Sequence, residues 1–419
     1  MCRLFLIIPF LLIVAPFCYG HEADSQGQLL IRKYLESTHA DEMENILHEL
    51  NGLHISLNTG KEWIKTSASY TSQPLGLQRK LVPIGEKHGE YFVYTPSHYV
   101  PDKSWPMILI LHGVGSRGYD PVMAWLRSSA HNDEFILVAP TYGHGLWWKD
   151  EAERLILSVF DKMKQEYNID TDRVYLTGFS SGGHGAWYMA LRYPHFFAAI
   201  SPIAGECPIP SFLVNLMHVP VYIVHGAQDT VIPAEAARDA LSRLEKLNYR
   251  VAYKELPEMK HRFPLDETGE ILDWFRANGR LLYPKKLRFS TESIKYSVSY
   301  WVEILEFSEI VGRVSGVQKD ISGHLMRSEA LPVTASVEAD IKDENNEIFL
   351  VTQGIKAIRL YLENRLIDME RPLRVYINGK MVYSEKVNEN VRVILDTVKK
   401  RNDRKALFSA YLDLKVPFE

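Results

Sequence analysis

Five residues constrain this chain more than any other feature: Gly178-Phe179-Ser180-Ser181-Gly182. They stand between a short apolar run, Val174–Thr177, and a segment of helical character from Ser181 to Arg192. A serine between two glycines at a strand-to-helix junction marks a turn too sharp for side chains at the flanking positions. Such a turn pushes the serine hydroxyl out at the end of a sheet. It also sets the N–H of Ser181 at a helix N-terminus, where developing negative charge is stabilised.

The surrounding sequence supplies the sheet this turn needs. Met107–Leu111 and Phe135–Ala139 are short apolar runs, as strands buried on both faces require. Glu151–Tyr167 places Leu155, Ile156, Val159, Phe160 and Met163 on one helical face. Val219–Val224 and Val251–Leu256 read as strands, each followed by a helix, Ala234–Leu247 and Glu267–Asn278. Strands alternating with helices predict a mostly parallel sheet covered on both faces, an α/β fold. From about residue 285 the pattern changes to strands and turns. Asn378-Gly379, between Arg374–Ile377 and Lys380–Tyr383, is a strong hairpin signal. A β-rich, sandwich-like domain is expected there.

A serine hydroxyl needs a base to act as a nucleophile. In chains with this turn the order is serine, acid, histidine. Asp229 follows the strand Val219–Val224, within His225-Gly226-Ala227-Gln228-Asp229. His261 follows the strand Val251–Leu256. Imidazole takes and returns a proton near neutral pH, and a carboxylate can fix its tautomer. Ser180, Asp229 and His261 are therefore the candidate catalytic residues, with Ser180 as nucleophile.

A second donor for an oxyanion should come from the loop after Met107–Leu111. There His112-Gly113-Val114-Gly115 offers the N–H of Val114, with Gly115 as the alternative, to act beside that of Ser181. His112 is expected to brace this loop. Gly113-x-Gly115-x-x-Gly118 also matches a dinucleotide fingerprint, but no acid stands at the end of the following strand to hold a ribose. No cofactor and no metal is expected; His48-Glu49 begins a zinc motif that fails at Gly52. Tyr142, Trp147 and Trp148 are candidates to wall a substrate pocket. His184 is expected to pack in the first turn of the helix after Ser180. Cys207 has no histidine beside it in sequence and is not a candidate nucleophile.

With Lys+Arg at 48 and Asp+Glu at 52, the net charge of −4 excludes a strongly basic nucleic-acid binder. Leu4–Phe17 is apolar, follows Arg3, and precedes small residues at Cys18 and Gly20. It reads as a secretory leader cleaved before His21, with an uncleaved anchor as the alternative. The run is shorter than a membrane span needs, so no stable membrane insertion is expected once the leader is removed. Only Cys207 then remains, so no internal disulfide forms. The expected location is secreted or periplasmic. The expected organisation is a leader at 1–20, a helical extension at 21–80, an α/β catalytic domain at 81–282 and a β-rich domain at 285–419.

Together, His112-Gly113-Val114-Gly115, the stretch Asp172–Gly183 around Ser180, His225-Gly226-x-x-Asp229 and His261 resemble the α/β-hydrolase superfamily. Within it the chain is similar to secreted esterases grouped with feruloyl esterases, esterase D and polyhydroxybutyrate depolymerases. It also resembles the catalytic domain of prolyl oligopeptidase-type enzymes. The resemblance covers about residues 90–280. It implies a serine hydrolase that cleaves small or polymer-linked carboxylic esters through an acyl-enzyme, without metal or cofactor. The alternative is a serine peptidase with the same residues. A non-enzymatic protein on the same scaffold would be expected to have lost one of them.

Overall fold

The computed structural model describes residues 17–417, apart from 129–131, 144, 309–312, 320–324 and 333. Contacts divide it into two compact units, residues 17–69 with 390–407 and residues 70–389 with 408–417.

The first unit is helical. It comprises α1 (Phe17–Glu36), α2 (Ala40–Gly52), α3 (Leu57–Thr66) and the helix Val391–Arg401. Leu30, Ile31, Ile46, Leu50, Trp63 and Ile64 pack with Ile394, Leu395 and Val398 in one apolar core. The helix from Val391 lies within the stretch expected to be β-rich. Its Ile394, Leu395 and Val398 recur at helical spacing and are buried in one cluster with residues of α1 to α3. The expected leader falls mostly outside the described residues; residues 17–20 are the start of α1. No described helix is long and apolar enough to cross a membrane.

The second unit holds an eight-stranded sheet. Its strands are β1 (Gly76–Ile84), β2 (Lys87–Thr95), β3 (Trp105–Leu111), β4 (Ile136–Thr141), β5 (Ile169–Phe179), β6 (Ala199–Ile203), β7 (Val221–Gly226) and β8 (Val251–Leu256). Their order in the sheet is β1-β2-β4-β3-β5-β6-β7-β8. From β4 to β8 all neighbours are parallel; β1 and β2 form an antiparallel hairpin that joins β4. The hairpin begins inside the stretch expected to be helical. Its edge strand β1 is half-exposed and carries Arg79 and Lys80 in place of an apolar run, while β2 buries Tyr91, Phe92 and Val93. By contrast, all seven residues of β3 are buried. Helices α4 (Tyr119–Ser128), α5 (Asp150–Glu166), α6 (Ser181–Arg192), α7 (Ala234–Lys246) and α8 (Thr268–Arg276) alternate with the strands. Two apolar clusters, one built on Met107, Leu109 and Leu176, the other on Ile108, Ile110 and Tyr175, fill the two faces.

The same unit continues into a β-rich part. A five-stranded sheet pairs Lys286–Thr291, Ala335–Lys342, Glu347–Gln353, Leu373–Ile377 and Lys380–Glu385, and a four-stranded sheet includes Val302–Phe307, Ile355–Leu362 and Ala410–Lys415. The hairpin at Asn378-Gly379 has both residues at positive φ, 49° and 78°, as its two-residue turn demands. This part is tied to the α/β part by side chains. Glu153 of α5, wholly buried, accepts from the hydroxyls of Tyr193 (2.7 Å) and Tyr296 (2.6 Å) and pairs with Lys295 (2.9 Å). Asn215 bonds both backbone groups of Ser290.

Candidate active site

The site is built at the carboxyl ends of β3, β5, β7 and β8. β5 ends at Phe179 and α6 starts at Ser181, so the whole turn is Ser180. Its backbone sits at φ 58°, ψ −122°, a conformation that costs a non-glycine residue about 1–3 kcal/mol and persists only when its surroundings enforce it. The neighbours do so by contact. A Cβ at Gly178 would lie 2.2 Å from the carbonyl oxygen of Gly182, and one at Gly182 would lie 2.0 Å from that of Leu111. The Ser180 N–H donates to Ile203 at the end of β6.

Residues 229 and 261 are brought together by their loops. Gly226 closes β7 so near the β8 loop that a Cβ there would lie 2.3 Å from the carbonyl oxygen of Met259. The N–H groups of Ala227 and Gln228 then donate across to Leu256 (2.9 Å) and Met259 (3.0 Å). This backbone strap carries Asp229 alongside His261. The Ser180 hydroxyl donates to His261 Nε2 at 2.8 Å, and His261 Nδ1 donates to Asp229 Oδ2 at 2.6 Å. The His261 ring rests on Phe179, centroids 5.0 Å apart. Asp229 Oδ1 accepts from the N–H groups of Val231 and Ile232, each at 2.9 Å. Burial alone would raise the pKa of Asp229. The bonds from His261, Ile232 and Val231 outweigh it and hold the carboxyl below its ordinary range.

The loop after β3 lies against the turn: a Cβ at Gly113 would be 3.6 Å from Ser180 Cβ. Val114 follows with its side chain 63% exposed, while Ser181 is buried at the first position of α6. His112 is buried and engaged on both ring nitrogens. Nδ1 donates to the carbonyl of Gly113 (2.8 Å), and Nε2 accepts from the N–H of Tyr142 (3.1 Å). Burial depresses its pKa, and one accepting nitrogen fixes the neutral form, so His112 braces the loop. Trp147 is a correction to the pocket expected from sequence. It is wholly buried, donates from Nε1 to the carbonyl of His112 (2.8 Å) and abuts Gly185. It supports the loop from behind and has no free face. Tyr142 and Trp148 are half-buried at the edge of the same cluster.

His184 is buried, with Nδ1 donating to the Ser180 carbonyl (3.1 Å), and its ring lies 6.0 Å from that of Trp148. Cys207 is buried, and desolvation pushes its thiol up to about 12, out of nucleophilic range. Among the described residues, no group of three or more His, Cys, Asp or Glu is arranged to hold a metal ion. His225 is wholly buried beside Asp229, a place that the sequence alone does not give it. No pattern in the sequence reveals what its ring bonds to.

Parts of the chain are similar to known proteins. Residues 150–278 match the phospholipase/carboxylesterase family. The chain is 32% identical over 145 residues to a bifunctional acetylxylan esterase/xylanase of Neocallimastix patriciarum, covering 33% of this chain and 21% of that protein. It is 23% identical over 219 residues to a poly(3-hydroxyoctanoate) depolymerase of Pseudomonas fluorescens, covering 44% and 78%. A solved thermostable esterase is similar at 23% identity and a TM-score of 0.42, over 49% of this chain and 63% of that one. The chain thus spans only about a fifth of the Neocallimastix protein. The strand order β1-β2-β4-β3-β5-β6-β7-β8 and the strand-to-helix turn at Ser180 are those of an α/β-hydrolase fold, and residues 150–278 within it match the phospholipase/carboxylesterase family.

Proposed function

We propose that the protein is a secreted serine hydrolase of carboxylic esters, with Ser180, His261 and Asp229 as its catalytic triad. The observation that carries this reading is the unbroken hydrogen-bonded line from Ser180 Oγ through His261 to Asp229, anchored on a strained turn. Ser180 Oγ attacks the ester carbonyl while His261 Nε2 takes its proton. The N–H groups of Val114 and Ser181 stabilise the oxyanion that forms. Collapse of this intermediate breaks the bond to the alcohol, which leaves with the proton held on His261. Water then attacks the acyl-enzyme, gives a proton to His261 and releases the acid, and Ser180 recovers its proton. Asp229 keeps His261 in the required tautomer and stabilises the imidazolium. Tyr142 and Trp148 border the substrate. Export rests on the leader-like pattern of residues 1–20. Small or polymer-linked esters are the expected substrates, in keeping with the names of the relatives.

Labelling with a fluorophosphonate, followed by rates on p-nitrophenyl acyl esters and on peptidyl anilides, tests the proposal. Wild-type protein should be labelled and should cleave the esters. Ser180→Ala should lose labelling and, at a cost of about 10⁶ in turnover, ester cleavage. Labelling that persists on another serine would overturn the assignment, and cleavage confined to anilides would make the protein a peptidase.

A further inference from the structure

Asp229 reaches His261 only if the turn from 229 to 232 keeps its shape, and a second buried histidine grips that turn. His225 stands next to last in β7 with no exposed surface. Its Nε2 donates to the carbonyl oxygen of Ile232 at 2.8 Å. The N–H of the same Ile232 donates to Asp229 Oδ1 at 2.9 Å. His225 and Asp229 therefore hold one residue of the turn from its two ends, which leaves Asp229 Oδ2 to face His261. The Nε2 of His225 also lies 3.7 Å from that same Oδ2. Its Nδ1 is buried with no hydrogen-bond partner among the described residues. The ring is thus spent on a single bond, the one to Ile232.

We propose that His225 is a positioning residue for Asp229, acting through the carbonyl of Ile232. The proposal rests on the triad reading above. Its test uses the geometry of amide replacements. A glutamine amide nitrogen reaches the place of Nε2, whereas that of asparagine reaches only the place of Nδ1. His225→Gln should keep most of the wild-type kcat on a p-nitrophenyl ester. His225→Asn lets the turn relax and should lower kcat by about 10- to 100-fold with KM little changed, as a misplacement of about 1 Å can. The decisive comparison is a double-mutant cycle with Asp229→Asn. If His225 works through Asp229, His225→Asn should add little further loss in that background, and the rate of fluorophosphonate labelling should follow the same pattern. Equal losses in both backgrounds, or a His225→Gln variant that folds yet is as slow as His225→Asn, would overturn the proposal. Should Asp229→Asn itself leave turnover unchanged, the triad reading fails and the role of His225 fails with it. That outcome is distinct from a crippled Asp229→Asn variant beside additive losses at His225.

Discussion

Asp229 combines two tasks that a single amide would confuse. Its Oδ1 accepts two backbone N–H groups, and its Oδ2 accepts from His261 Nδ1. In Asp229→Asn the carbonyl oxygen can keep the two backbone bonds, so the –NH₂ group turns towards His261. Nδ1 must then accept, the ring proton moves to Nε2, and Nε2 can no longer take the proton of Ser180. Turnover should fall by about 10⁴ while the melting temperature changes little. Near wild-type rates on a p-nitrophenyl ester would mean that another group orients the ring. Individual residues differ in how far the sequence announces them. The glycines around Ser180 and before Asp229 answer to backbone contacts of 2.0–2.3 Å, a demand that leaves its mark on composition. Trp147 and His225 leave no such mark. An aromatic after a strand can wall a pocket or fill a core, and only packing decides. A histidine before a glycine carries no pattern that reveals its partner is the carbonyl of Ile232.

Between elements, one carboxylate ties the approach to β4 to the end of β2. Asp133 accepts from the hydroxyl of Tyr94 (2.8 Å), from the N–H and hydroxyl of Ser97 (3.0 and 2.7 Å), and lies 3.1 Å from His98 Nδ1. Partial burial would raise its pKa. The bonds from Ser97, Tyr94 and His98 more than offset this and hold it at about 2, below its ordinary value of 3.8. A carboxyl whose pKa is lowered by folding stabilises the fold above its ordinary pKa and loses that contribution as pH falls towards the folded value. Thermal melts should therefore decline between pH 3.8 and about 2. Asp133→Asn should melt lower at neutral pH and decline less steeply in that window, so that the two curves converge near its lower end. Parallel curves would show that Asp133 contributes nothing to the decline. Glu255, likewise held at about 2 by Arg238 and Tyr253, keeps a residual slope in the variant. The elements themselves were legible where periodicity was clean. α6 spans Ser181–Arg192 as its pattern predicts, and β8 spans Val251–Leu256. The strand β1 was not legible, because on the sheet edge it is half-exposed and its Gln78-Arg79-Lys80 interrupts any apolar run. The helix Val391–Arg401 escaped because the strands on either side of it set the expectation for the stretch.

At the scale of the whole molecule, the boundary between the α/β part and the β-rich part includes buried charges paired across it. Glu153 has no exposed side-chain surface and depends on Tyr296 and Lys295 from beyond residue 282, as well as on Tyr193. Arg192, at the end of α6, pairs with Glu292 and lies over the rings of Tyr188 and Tyr296, 4.0 and 4.6 Å from their centroids. α6 is the helix that Ser180 opens, so the same helix carries the proposed nucleophile at one end and this junction at the other. A chain ending at Leu282 would lose Ser290, Glu292, Lys295 and Tyr296 together. It would leave Glu153 with its charge but without its cation, and a buried charge stripped of its partner is strongly destabilising. The same cut removes Val391–Arg401, and with it the residues that cover the apolar faces of α1 to α3. The shortened chain is therefore expected to be insoluble or to melt far below the full chain. Tyr296→Phe isolates the junction without the cut. It removes one bond to a buried carboxylate and should lower stability by about 1.5–3 kcal/mol, with ester turnover unchanged below the melting transition. Denaturant unfolding and melting of the three proteins check this. A chain ending at Leu282 that is soluble, monodisperse and as stable as the full protein would show that the β-rich part is an appendage that the α/β part does not need in order to fold.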